Sequence, residues 1–170
     1  MHAHRRWLGA LAGALIALAC PVAGGAESDP LPVPEGGARA QGVVAYNDGV
    51  KLMLEKRYPA AQARFEEALA RFEGLPEAHN NLAFSLRMQG THNFERALKH
   101  YNRALELKPD LAEAYLYRGV LFTQTGDLKR ASEDHARLLK LDRQLAARLE
   151  AVIVGRVLND GSAGLAAQYE

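Results

Sequence analysis

Small and aromatic side chains recur along this chain at the spacing of helix faces. The recurring positions are Gly49, Ala61, Phe65 and Ala68, then Ala83, Ala97, Tyr101 and Ala104, then Gly119, Ala131, His135 and Leu138. In each set the last three residues are four and three positions apart, which places them on one helix stripe where a neighbouring helix can approach closely. The first member recurs after 34 and then 36 positions, the period of a two-helix unit. The pattern therefore predicts stacked helical hairpins.

The turn chemistry between the predicted helices supports this organisation. First helices are expected over residues 43–55, 77–89 and 113–125, each followed by a turn and a second helix. Gly126 suits the positive φ that ends a helix, Asp127 suits a helix cap, and Pro76 suits a first helical turn.

A further helix is predicted after the third unit, over residues 142–159, and it would cap the stack. Its apolar residues at helical spacing are Leu145, Leu149, Val152, Ile153 and Val157. Asn159, Asp160 and Gly161 are expected to end this helix, and residues 160–170 to form a flexible tail.

The three units, residues 42–75, 76–111 and 112–145, resemble tetratricopeptide (TPR) repeats. The second is the clearest copy, with Leu82, Ala83, Leu86, Gly90, Phe94, Ala97, Tyr101, Ala104 and Pro109 in the family's order. The third departs from the pattern, because His135 and Leu138 replace the usual aromatic residue and alanine. The resemblance implies an all-α fold, a right-handed α-solenoid of three helical hairpins with a C-terminal capping helix, and no catalytic activity or cofactor.

In TPR proteins the first helices line a concave groove that receives a peptide or a partner's helix, and the resemblance implies such a groove here. The residues expected on its exposed stripe are Tyr46, Val50, Met53, Asn80, Asn81, Phe84, Arg87, Leu116, Tyr117, Val120 and Gln124. This set suits a short peptide or helix with hydrophobic anchors, whose backbone Asn80 or Asn81 would hold. Two alternatives stay open: some of these residues pack on the proline-rich N-terminal segment, or the groove is unused.

One TPR subtype holds the acidic tails of cytosolic chaperones with lysines, an arginine and asparagines at fixed groove positions. Of these positions, the one at Asn81 matches. The others hold Tyr46, Val50, Glu113 and Tyr117, so the basic clamp is absent. The sequence therefore predicts that chaperone tails are not the ligand.

The first 26 residues have the pattern of a bacterial secretory signal, with two arginines before an apolar run that ends in small residues. Cleavage after Ala26 would leave a periplasmic or secreted protein without cysteine. The residues around Cys20 also resemble a lipoprotein signal, and lipidation there would make the protein membrane-anchored. Residues 27–41 are rich in proline and glycine and are expected to form an extended linker with almost no apolar surface.

The charge balance excludes some partners. The whole chain has a formal charge of +1, and without the two arginines of the signal 19 basic residues stand against 20 acidic ones. Because these charges are interspersed, nucleic acid and anionic membranes are not expected as main partners.

Candidate chemistry is sparse. The histidines outside the signal are His79, His92, His100 and His135. They lack the spacing of metal ligands on one helix, so no metal site is predicted, and His79 and His100 are expected on the helix surface. Ser132, Asp134 and His135 are the residue types of a hydrolytic triad, but they are crowded into one helical turn and cannot converge. An enzyme is therefore not expected.

The sequence favours a non-catalytic adaptor of the bacterial cell envelope that binds a protein or peptide partner in the concave groove. The alternatives are a lipid-anchored assembly factor, tethered through Cys20, and an accessory subunit of an envelope enzyme. A homodimer through the C-terminal helix is a further hypothesis, because Val154 and Leu158 add apolar surface beyond what a cap requires.

Overall fold

The computed structural model describes residues 29–166, with side chains for residues 29–159. Seven α-helices follow one another within these residues: α1 (Gly37–Leu54), α2 (Tyr58–Arg71), α3 (Pro76–Met88), α4 (Phe94–Leu107), α5 (Ala112–Thr125), α6 (Leu128–Leu141) and α7 (Arg143–Ala166). A short 3-10 turn, Thr91–Asn93, fills the enlarged turn before α4. The predicted signal peptide, its Cys20 and residues 167–170 lie outside the described residues.

The helices form three hairpins in chain order. Helix α1 packs against α2, α3 against α4, and α5 against α6, while contacts of α2 with α3 and of α4 with α5 join successive hairpins. Helix α7 packs on both α5 and α6 and closes the stack. The predicted all-α solenoid of three hairpins and a capping helix is confirmed.

Close helix packing depends on the small residues that form the sequence period. A Cβ atom added to Gly49 of α1 would lie 2.5 Å from the Phe65 ring of α2. A Cβ atom on Gly119 of α5 would lie 2.5 Å from a methyl group of Leu149 in α7. Since Phe65 and Leu149 are fully buried, neither has room to move aside, and a larger residue would strain the core.

Helix ends follow the predicted turn chemistry. Pro76 lies in the first turn of α3. Gly126 ends α5 with a φ of 84°, in the left-handed region that favours glycine. The Asp127 side chain accepts a hydrogen bond of 3.0 Å from the backbone N–H of Arg130 and caps α6.

Two helices extend beyond their predicted bounds. Helix α1 begins at Gly37, inside the predicted linker, because Ala38 is a strong helix former and Ala40 is buried. Helix α7 continues to Ala166 instead of ending at Asn159. No proline follows Asn159, and a glycine inside a helix costs only about 1 kcal/mol relative to alanine, so the helix is weakened there without being broken.

Candidate functional site

The structure buries most of the predicted groove residues. Ten of the eleven are buried, and Gln124 at the end of α5 is the exposed one. The buried ones are Tyr46, Val50, Met53, Asn80, Asn81, Phe84, Arg87, Leu116, Tyr117 and Val120. The expectation that they form an exposed stripe is therefore wrong.

Aromatic packing between the hairpins explains this burial. The Phe84 ring of α3 lies between Tyr58 of α2, at a centroid distance of 6.1 Å, and Tyr117 of α5, at 5.0 Å. The Arg87 guanidinium covers the same Phe84 ring at 5.2 Å and donates to the side-chain carbonyl of Gln124 at 3.4 Å. These side chains join the hairpins to one another, so they form the floor under the groove.

A polar group of predicted groove residues lies in the first half of α3, beside Tyr46 of α1. Asn81 donates a hydrogen bond of 3.1 Å to the Tyr46 hydroxyl, and Asn80 donates one of 3.1 Å to Oδ1 of Asn81. Among the described residues no donor reaches Oδ1 of Asn80, although Asn80 is only 3% exposed. An unpaired buried acceptor is unfavourable, so Oδ1 of Asn80 favours a hydrogen-bond donor from outside the described protein groups.

The chain's own N-terminal segment packs on α1 here and lines one cavity together with the predicted groove residues Tyr46, Asn80 and Asn81. The backbone N–H of Leu31 donates to Oδ1 of Asn47, and Nδ2 of Asn47 donates to the Leu31 carbonyl, both at 2.8 Å. The half-buried Leu31 side chain contacts the hydrophobic core. The linker therefore contributes apolar surface, contrary to expectation. Asn47 was missed in the sequence, although it stands 34 residues before Asn81, one repeat period away.

A polar cavity of about 230 Å³ lies between this segment and the first helices. The residues that line it are Asp29, Leu31, Tyr46, Glu77, Asn80, Asn81, Lys108, Leu111 and Glu113. Lys108 lies 3.4 Å from a carboxylate oxygen of Glu77. The lining thus carries three carboxylates and one ammonium group.

Two histidines predicted on the helix surface meet inside the second hairpin. His79 is buried, and its ring stacks on that of His100 with the two Nδ1 atoms 3.0 Å apart. Nε2 of His79 lies 3.1 Å from the Glu73 carbonyl oxygen, so Nε2 donates and Nδ1 accepts from His100. Burial lowers the pKa of both imidazoles, that of His100 to about 4, and the neighbouring His79 adds to the effect on His100.

This pair predicts an acid-sensitive fold. The two histidines bind protons less readily in the folded protein than in the unfolded chain, where their pKa is near 6.5. Their contribution to the free energy of unfolding is therefore fully present above about pH 6.5 and is lost as the pH falls towards 4. We expect the free energy of unfolding to fall by about 1 to 2 kcal/mol between pH 7 and pH 5. Urea unfolding at a series of pH values measures the change.

Two variants show whether this histidine pair causes the acid sensitivity. The test is the double variant His79→Gln with His100→Gln, and the control is His92→Gln at an exposed position. The double variant should lose most of the slope between pH 7 and pH 5, while His92→Gln should keep it. An equal slope in the wild type and the double variant would assign the acid sensitivity to other groups.

Two of the three α6 residues with the types of a hydrolytic triad, Asp134 and Ser132, hydrogen-bond to groups outside the trio. Both carboxylate oxygens of Asp134 accept from Arg118, at 2.7 and 3.1 Å, and the Ser132 hydroxyl donates to the Leu128 carbonyl at 2.9 Å. Among the described residues, no three or more metal-binding side chains gather into a site, and no helix has the length and hydropathy to span a membrane.

Comparison with known proteins agrees with the geometry. Residues 93–126, which contain α4 and α5, match the family described as TPR repeat. The chain is 26% identical over 130 residues to the uncharacterized protein ycf37 of Guillardia theta, an alignment that covers 72% of each chain.

Solved structures share the fold. The TPR domain of Arabidopsis OM64 superposes with a TM-score of 0.64 at 21% identity, over 70% of this chain and 98% of that one. The first TPR of Spaghetti (RPAP3), bound to the HSP90 peptide SRMEEVD, gives 0.61 at 20% identity, over 67% and 91%. The TPR2B domain of yeast Sti1, in a complex with pHsp70, gives a TM-score of 0.62 at 17% identity, over 70% of this chain and 98% of that one. These similarities establish the TPR fold.

Proposed function

Because the chain carries a TPR repeat and has the TPR fold, we propose that it is a non-catalytic adaptor that binds a peptide segment of a partner protein. The proposed site is the concave groove along the first helices, at the end where Asn47 and Asn80 lie. The pair of hydrogen bonds between Asn47 and Leu31 carries the proposal, because it supports a surface that can hold the backbone of a non-helical segment.

A side-chain amide suits this task chemically. The Asn47 amide already pairs its acceptor and a donor with the N–H and C=O of Leu31, a pairing that does not depend on the side chain of the residue held. With Leu31 in place, a partner's peptide would lie beside this segment, along Asn80 and Glu113. Backbone recognition supplies affinity, while neighbouring pockets supply specificity. The TPR domain of Spaghetti binds a short peptide in the same fold, which supports a peptide as the partner of this groove.

Acidic chaperone tails fit this groove poorly. Glu77 and Glu113 line the cavity, and like charges across an interface oppose binding. In the peptide SRMEEVD, the ligand of the Spaghetti domain, acidic side chains outnumber the one arginine. We therefore expect it to bind here more weakly than the same peptide with its acidic side chains amidated.

We propose that the adaptor works in the bacterial cell envelope, because the sequence predicts an export signal in residues 1–26. The mass of the mature N-terminus separates this proposal from its alternative. A free Glu27 supports an exported periplasmic or secreted protein, whereas an acylated Cys20 supports a lipid-anchored assembly factor. An accessory subunit of an envelope enzyme would differ from both, because it should be insoluble or unstable without its partner.

Site-specific photocrosslinking in intact cells tests the groove. A photoreactive phenylalanine analogue replaces Glu113 or Gln124 of α5, and in control proteins Glu133 or Arg137 on the exposed face of α6. We expect one partner protein, identified by mass spectrometry, to crosslink from both α5 positions and from neither α6 position. A partner captured only from α6 would place the interaction outside the groove.

Helix α7 offers a second interaction surface. Val154, Val157 and Leu158 are 48%, 48% and 66% exposed, and the homodimer through this helix stays a prediction. If Val154→Glu with Leu158→Glu changes neither the folding nor the molecular mass in solution, the dimer hypothesis is wrong.

A further inference from the structure

We propose that the cavity between Asp29, Asn80 and Glu113 receives a cationic side chain of the bound peptide, a lysine or an arginine. The proposal rests on the proposed function, because it assigns the ligand chemistry of the same groove. It would make this a groove for basic peptides.

The excess of negative charge in the cavity lining is the first argument for a cationic ligand. Lys108 pairs with Glu77 at 3.4 Å, so these two opposite charges offset each other. Among the described residues no cation lies within salt-bridge distance of Asp29 or Glu113. The cavity therefore has two carboxylates in excess, and an added positive charge is attracted to it.

An unpaired oxygen in the cavity wall is the second, independent argument for a cationic ligand. Asn80 is a wall residue, and its Nδ2 is already engaged with Asn81, while its buried Oδ1 has no donor among the described residues. An ammonium or guanidinium group is all donor and no acceptor, so it supplies what this oxygen lacks. Neither a carboxylate nor an aliphatic side chain can do so.

The size of the cavity selects one side chain instead of a whole helix. A volume of about 230 Å³ equals the liquid share of about eight water molecules. That space admits the end of one long side chain from a peptide that runs along the groove. A partner helix is much wider, since a helix with its side chains is about 10 Å across.

The N-terminal segment completes this cavity. Leu31 is fixed to Asn47 by two hydrogen bonds, and Asp29, two residues earlier, stands in the cavity wall. The segment thus contributes a carboxylate to the site, and its removal should weaken cation binding.

Nuclear magnetic resonance titration tests the proposal on the ¹⁵N-labelled protein as the cell processes it. The probes are N-acetyl-arginine N-methylamide, its neutral citrulline analogue and N-acetyl-glutamate N-methylamide, at matched ionic strength. We expect the arginine probe to shift the Asn80 side-chain amide and the backbone amides of Glu77 and Glu113 in a saturable way. The two other probes should shift them far less.

Charge-removing variants sharpen the test. Asp29→Asn with Glu113→Gln should weaken binding of the arginine probe about tenfold. The control, Glu95→Gln with Glu133→Gln, removes two exposed carboxylates, one of them also in a helix first turn, and should leave the affinity unchanged. Both pairs lie at surface positions, so both proteins should fold.

The outcomes separate this inference from the proposed function. Equal shifts with arginine and citrulline, or stronger shifts with glutamate, overturn the cation site. If groove photocrosslinks to a partner persist in that case, the adaptor stands without it. Arginine binding in the absence of any groove crosslink would instead contradict the peptide-binding adaptor.

Discussion

Replacing Tyr46, Phe84 and Tyr117 together by alanine is expected to unfold the protein. All three side chains are buried, and Phe84 packs edge-on against Tyr117 between the second and third hairpins. Truncation of one large buried aromatic residue typically costs about 3 to 5 kcal/mol. Three such losses reach about 9 kcal/mol or more, comparable with the whole stability of a typical domain. Far-ultraviolet circular dichroism and urea unfolding measure the effect.

The matched control changes exposed residues at the ends of the same helices. Leu54→Ala with Met88→Ala should leave the helical signal and the urea midpoint nearly unchanged, because both side chains are exposed. A triple alanine variant that keeps a cooperative transition near the wild-type midpoint would contradict the burial described here. The expected loss of folding also means that tests of binding should alter Glu113 or Gln124 rather than these aromatic residues.

Removal of the Asp134 carboxylate is expected to have the second largest effect. Asp134 is buried in α6 and receives two hydrogen bonds from Arg118 of α5, which also donates to Asn102 of α4 at 2.8 Å. Burial raises the pKa of Asp134, and the Arg118 guanidinium offsets part of that rise. We expect Asp134→Ala to lower the free energy of unfolding by about 2 to 4 kcal/mol, because it leaves the Arg118 guanidinium without its carboxylate. Arg118 is partly exposed to water, which keeps the loss below that of a fully buried pair.

A double-mutant cycle checks the origin of that loss. Arg118→Met with Asp134→Leu removes both charges and fills the space, so it should recover much of the stability lost in Asp134→Ala. Glu67→Ala is the control, because the Glu67–Arg64 ion pair lies at the surface and should contribute little. If the losses of stability in Arg118→Met and in Asp134→Leu, each made singly, add up to the loss in the double variant, the pair acts by packing alone.

Much of the fold could be predicted from the sequence because its signals are local. Ala61, Phe65 and Ala68 lie within two turns of one helix, so their spacing alone places them on one face. Gly126 and Asp127 end one helix and begin the next through bonds within a few residues of themselves. The bounds of α1 and α7 were less predictable, since glycine and asparagine are weak stop signals unless tertiary packing reinforces them.

The candidate site was only partly predictable, because its contacts join distant parts of the chain. Asn47 meets Leu31 across 16 residues, and His79 meets His100 across 21. Nothing in the local spacing of these residues shows the pairing, which depends on how the helices pack.

The sequence by itself determined the helices, the hairpin period and the absence of the basic clamp, since each of these depends on residue types at short, regular spacing. Only the tertiary structure decided which apolar face became a filled floor, where Phe84 lies between Tyr58 and Tyr117. It also decided which polar groups, Asn80 and Glu113 among them, line a cavity. The physical reason is that apolar spacing marks a face for burial, whereas packing between helices and the N-terminal segment determines what covers that face.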